Sequence, residues 1–172
     1  RDLRMSRGLG DVYKRQGKIF LPQLIQTASV AQAAFEVIKT TLIERNAAPV
    51  SRGEIVLATV KGDIHDIGKN IVRVLLENYG YTVLDLGRDV PCQLVADTAK
   101  EHGVKLVGLS ALMTTTLGAM EETIQLVKQS CPDCKIVVGG AVLTADYAEK
   151  IGADFYAKDA METVAVAKEV VG

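Results

Sequence analysis

Apolar residues along this chain come in short unbroken blocks that alternate with longer stretches of helical period. Residues 55–60 (Ile-Val-Leu-Ala-Thr-Val) form a run without polar alternation, as a parallel strand covered on both faces requires. After a polar stretch the period changes, and Ile67, Ile71, Val74 and Leu75 fall on one face of a helix. The same switch recurs four times. Strands are predicted at residues 81–86, 106–110, 135–138 and 154–157. Helices are predicted at 92–102, from Leu117 through Met120, Ile124 and Val127, at about 144–151, and through Val164, Ala167 and Val171. Five strand/helix units imply a parallel sheet with helices on both faces.

The right-handed crossover rule favours the strand order 2-1-3-4-5, an α/β fold of the flavodoxin-like (Rossmann-like) kind. That order brings three turns to one rim: residues 62–68 after the first strand, 110–116 after the third, and Gly139-Gly140 after the fourth. The crevice between strands one and three is where such sheets bind ligands.

Ahead of this domain, Leu24, Ala28, Ala31, Phe35, Ile38 and Leu42 recur in steps of four and three, the seam of a bundle helix. One helix cannot bury its seam alone. Residues 46–53, with Pro49 and Gly53, read as a linker. Residues 1–16 show no apolar periodicity and read as a tail or foreign segment, so a native amino-terminal region is expected to be missing. The division expected is therefore a tail at 1–16, a helical segment at 17–48 and a ligand-binding domain at 49–172.

Composition narrows the partners. The 172 residues carry 20 basic and 21 acidic side chains, which leaves no electrostatic footprint for nucleic acid or an anionic membrane. No apolar run is long enough to span a bilayer. Three cysteines do not make a disulfide framework and favour a reducing cytoplasm. Cys131 and Cys134 have CxxC spacing, but they lie on the wrong edge for thioredoxin chemistry and lack a second pair for zinc, so a structural role is expected.

The chemistry concentrates in Lys61-Gly62-Asp63-Ile64-His65-Asp66-Ile67-Gly68-Lys69-Asn70. Its glycines are one residue too far apart for a P-loop, and Asn70 stands where Ser or Thr would hold magnesium. His65 is flanked by Asp63 and Asp66, and a carboxylate on one ring nitrogen makes the other a better metal donor. The chain has two histidines, too few for a zinc site. A metal already held by a macrocycle needs only one protein ligand.

At this point Asp63-Ile64-His65-Asp66-Ile67-Gly68 resembles the DxHxxG signature of cobalamin-binding domains. Ser110-Ala111-Leu112 stands as the SxL element and Gly139-Gly140 as the GG element. The resemblance covers residues 17–172, with Gly17-Lys18-Ile19-Phe20-Leu21-Pro22-Gln23 similar to the last helix of the family's helical cap. Ala58 to Asp63 and Phe155 to Ala160 look most like the cobalamin module of methionine synthase. Corrinoid proteins of methanol and methylamine methyltransfer systems share the architecture.

The resemblance implies that His65 is the lower axial ligand of cobalt, with Asp63 hydrogen-bonded behind it. It implies that Gly62, Ile64 and Asp66 line the lower face of the corrin, and that Gly68 and Leu112 also belong to the cofactor site. The displaced nucleotide tail would pass Ser110 and Thr114 and the Gly139-Gly140 turn to reach Ala160. Leu21 would shield the upper face, where the family's bulky aromatic guard falls at Lys14. The function implied is a methylcobalamin-carrying module of a methionine-synthase-type methyltransferase, moving methyl from methyltetrahydrofolate to homocysteine in methionine biosynthesis. The substrate sites would lie on partner modules, so the chain alone should not turn over. The alternatives are a stand-alone corrinoid shuttle for a methanol or methylamine methyltransferase, and a corrinoid-dependent sensor.

Overall fold

A computed structural model describes residues 51–172. The tail, the helical segment, Leu21 and Lys14 lie outside the described residues. Those described belong to one compact unit, Val50–Gly172.

β1 (Glu54–Thr59) leads through a turn to α1 (Ile67–Asn78). β2 (Thr82–Asp85) precedes α2 (Cys92–His102), and β3 (Leu106–Ser110) precedes a 3-10 turn (Thr114–Thr116) and α3 (Leu117–Ser130). β4 (Lys135–Gly139), α4 (Ala145–Lys150), β5 (Phe155–Tyr156) and α5 (Ala160–Val170) complete the unit. All pairings are parallel and the sheet order is β2-β1-β3-β4-β5, as the sequence pattern predicts. Predicted element ends differ from those observed by no more than one residue. Val60 forms an isolated bridge with Val90 instead of extending β1.

The apolar runs sort by parity, because successive strand side chains point to opposite faces. Val56, Ala58, Val107, Leu109, Ile136 and Val138 pack against α2, α3 and α4. Ile55, Leu57, Leu106 and Val137 pack against α1 and α5 through Leu76, Val164 and Ala167. Fully burying a residue such as Leu76 or Ile136 contributes about 1.5–3 kcal/mol.

Register sets the rim. Thr59 is level with Ser110, and Ser110 with Gly139, so three strands end in one row. The chain leaves β1 towards the face carrying α1 and leaves β3 towards the face carrying α3, which opens the crevice between them. β2 pairs with β1 only as far as Asp85 opposite Leu57. The chain beyond it is therefore free to lie against the turn that follows β1.

The apolar face predicted for α1 is only partly a core face. Leu76 is buried and Val72 and Leu75 pack against the core, but Ile67 is 78% exposed and Ile71 54%. Those two occupy the first turns of α1, beyond the end of β1, where the helix flanks a cavity. Among the described residues no helix is long and apolar enough to cross a membrane.

Candidate functional site

Asp63 is the pivot of the rim, and it is completely buried. Oδ1 accepts hydrogen bonds from the His65 backbone nitrogen at 3.0 Å and from His65 Nδ1 at 2.8 Å. Oδ2 accepts from the backbone nitrogens of Leu112 at 2.6 Å and Met113 at 3.2 Å, and from Thr116 Oγ1 at 3.2 Å. Burial pushes the carboxyl pKa up. The backbone donors of Leu112 and His65, the imidazole and the Met113 N–H outweigh burial and hold it well below the usual carboxylate range.

An ionised carboxylate only accepts. His65 must therefore carry its proton on Nδ1, and in the neutral ring Nε2 keeps its lone pair. The imidazole is 45% exposed and lines a cavity of about 770 Å³. The ring is thus held at one nitrogen and available at the other.

The cavity runs over the α1/α5 face of the sheet. Its floor is Leu57, Gly108 and Val137, where Gly108 contributes no side chain. Ile64, Asp66, Gly68, Ile71 and Val72 form one wall, and Gly139, Gly140, Ala160 and Thr163 the other, with Ser110 and Leu112 between. Ile64, Ile67, Ile71 and Leu112 are 42–78% exposed around the opening, an apolar rim beside the imidazole.

Gly140 has φ +142°, and a Cβ there would overlap the Ala111 carbonyl, so no side chain can stand at that point of the wall. At Gly139 a Cβ would approach the Ala157 carbonyl oxygen to 3.1 Å. Asp159 caps α5 by accepting from the backbone nitrogens of Met161 and Glu162, which fixes Ala160 at the cavity edge.

Not every residue singled out in the sequence reaches the cavity. Gly62 and Thr114 are exposed and are not among the lining residues. Of the three threonines, Thr116 carries the structural weight, bonding Asp63 instead of capping α3.

Three residues went unrecognised in the sequence. Lys69, at the place of a P-loop lysine, is buried with its ammonium on Asp85 and Asn70, and Asp85 also accepts from the Gly87 backbone nitrogen. Asp89, in the turn after β2, accepts from the Gly62 backbone nitrogen. The GRDVP turn at residues 87–91 was the only local signal for it.

Cys134 is buried, its thiol pushed up to about 12 by burial and by neighbouring Cys131 and Asp154. Neither cysteine lines the cavity.

A family model described as B12 binding domain matches residues 53–165. Dimethylamine corrinoid protein 1 of Methanosarcina acetivorans is 44% identical over 165 residues, covering 95% of this chain and 76% of that protein. A cobalamin-binding protein from Desulfitobacterium hafniense superposes with a TM-score of 0.71 at 36% identity, covering 95% of this chain and 77% of that one. The methanol:cobalamin methyltransferase complex from Methanosarcina barkeri gives 0.75 at 31% identity, covering 95% and 62%.

Proposed function

The chain belongs to the B12-binding domain family, and on that premise we propose that it is a corrinoid protein carrying a methyl group for a methylamine or methanol methyltransferase system, with His65 as cobalt ligand. This is the alternative raised by the sequence. It displaces the methionine-synthase-type module, because the 44%-identical relative is named a dimethylamine corrinoid protein and the 31%-identical complex a methanol:cobalamin methyltransferase. Methyltetrahydrofolate, homocysteine and methionine biosynthesis are set aside with it.

The residues present fit a corrinoid. Among the described residues no group of three His, Cys, Asp or Glu could hold a bare ion. A cobalt already held by a macrocycle needs a single imidazole nitrogen, and His65 offers Nε2. The apolar rim of Ile64, Ile67, Ile71 and Leu112 suits one face of a flat macrocycle. The cavity past Ser110 and Gly139-Gly140 to Ala160 has the size expected for a small-molecule site and suits a nucleotide tail.

When bound, the corrinoid supplies a cobalt centre that accepts and releases the methyl group. The chain's own groups act on the ligand. Asp63 holds the Nδ1 proton and aims Nε2, and Leu112, Met113 and Thr116 hold Asp63. A proton taken up when the imidazole is released would reside on the His65/Asp63 pair. Methyltransferase subunits are the partners for donor and acceptor.

The observation that carries this reading is the 2.8 Å bond from His65 Nδ1 to a carboxylate saturated on its other oxygen. Reconstitution with methylcobalamin tests it. Wild type is expected to give the visible spectrum of nitrogen-ligated cobalt, and His65→Ala the base-off spectrum. Identical spectra would remove His65 as ligand. Methyl transfer assayed with dimethylamine, methanol and methyltetrahydrofolate methyltransferases then identifies the donor. Activity with the last alone would overturn the methylamine or methanol assignment.

A further inference from the structure

The turn that carries His65 is braced from outside by the turn after β2. Asp89 Oδ1 accepts the Gly62 backbone N–H at 2.7 Å, and the Asp89 backbone N–H donates to the Asp63 carbonyl at 2.9 Å. One residue thus closes both ends of the dipeptide that places the Asp63 carboxylate. The neighbouring backbone continues the splice: Thr59 N–H donates to the Gly87 carbonyl and Val90 N–H to the Thr59 carbonyl.

Asp89 is also the only non-glycine residue with positive φ among those described, at 52°. Left-handed backbone is costly for most side chains and is tolerated by Asp and Asn. The conformation is what lets the side chain and the backbone N–H of one residue reach the same turn. Asp89 does not line the cavity, although its neighbour Arg88 does.

We infer that Asp89 is a positioning residue for the cobalt ligand: its carboxylate and backbone fix the Gly62-Asp63 dipeptide, and through it the direction of His65 Nε2. This rests on the proposed function. Without the brace, the His65 turn samples orientations in which Nε2 points away from the cofactor, while the cavity that holds the tail is unchanged. Bound corrinoid should then lose its imidazole ligand before it loses affinity for the protein.

The test compares Asp89→Asn and Asp89→Gly with wild type at full occupancy by methylcobalamin, reading the ratio of nitrogen-ligated to base-off cobalt in the visible spectrum. Asn keeps an acceptor oxygen and the tolerance for positive φ but not the charge, and is expected to retain most of the wild-type ligation. Gly keeps the backbone freedom but lacks the acceptor. A lost hydrogen bond to a charged group shifts a local equilibrium about tenfold, so Asp89→Gly is expected to lower the ligated to base-off ratio about tenfold with cofactor still bound.

Glycine carries no strain at this φ. A wild-type ratio in Asp89→Gly overturns the brace, and a glycine variant that does not fold makes Asp89 a folding requirement and overturns the positioning role. An equal loss in Asp89→Asn overturns the hydrogen-bond mechanism as well. If wild type itself shows no nitrogen ligation, the His65 reading fails, and this inference with it.

Discussion

Asp63 Oδ2 lies 2.6 Å from the backbone nitrogen of Leu112, which ties the turn after β1 to the turn after β3 across the crevice. Because the same carboxylate holds the His65 ring through Oδ1, the imidazole is referenced to two strands of the sheet rather than to its own turn alone. A ligand held in this way loses little freedom when it binds.

Replacing Asp63 tests that tie without any cofactor. An Asn amide has one acceptor oxygen, so its NH2 would face the donors on one side, either those of His65 or those of Leu112, Met113 and Thr116. Asp63→Asn is expected to destabilise the cofactor-free protein by about 1–3 kcal/mol in urea titration. The pH dependence has a definite sign. The folded pKa lies below the unfolded value of about 3.9, so the unfolded chain binds more protons in the interval between them. The stabilisation is therefore fully present above about pH 4 and is lost as pH falls through the folded pKa. The gap between wild type and variant should narrow below about pH 4.

Two glycines of the site should respond in opposite directions. A Cβ at Gly140 would overlap the Ala111 carbonyl at a positive φ, and Gly140→Ala is expected to cost about 3 kcal/mol or more. Gly68 in the first turn of α1 has open space around its Cβ position, so Gly68→Ala should raise the stability of the cofactor-free protein by about 0.5 kcal/mol. Gly68 also lines the cavity, and the same methyl group should weaken corrinoid binding. Thermal melting and cofactor titration of each variant separate the two roles.

Lys69 is expected to matter for stability. Lys69→Met leaves the half-buried Asp85 with the Gly87 N–H and a 3.4 Å contact from Arg73. Removing one partner of a buried pair costs about 3 kcal/mol. Adding Asp85→Asn should recover much of that loss, because the largely buried carboxylate is then neutral and only the part-exposed Arg73 loses a partner, and a double-mutant cycle in urea measures the coupling.

Thiol labelling checks the cysteines. With its thiol pushed up to about 12 and 3% exposure, Cys134 has almost no thiolate at pH 8. It should resist a thiol-specific reagent in the folded protein and react at once in denaturant. Rapid labelling of the native protein at Cys134 would contradict the burial.

The course of the chain was legible because the periods of strands and helices are local. β1, expected at 55–60, runs Glu54–Thr59, and the sheet order is the one that the crossover rule favours. A carboxylate beside His65 was legible for the same reason, with Asp63 and Asp66 both in reach; the fold pairs the ring with Asp63. Other features depend on distance across the fold. The face of Ile67 and Ile71 has the same spacing whether it meets a core or a ligand, and only the end of β1 beneath it leaves those residues at the cavity. Thr116 is separated from Asp63 by 53 positions, and Asp89 from Gly62 by 27. No local pattern marks such partners, since a threonine in a turn or an aspartate after a strand serves many ends. Local spacing therefore determined the elements and singled out the turn that carries His65. The direction of that residue was decided by the parallel register of Thr59 and Ser110, which sets the turns after β1 and β3 side by side so that donors from both converge on the Asp63 carboxylate.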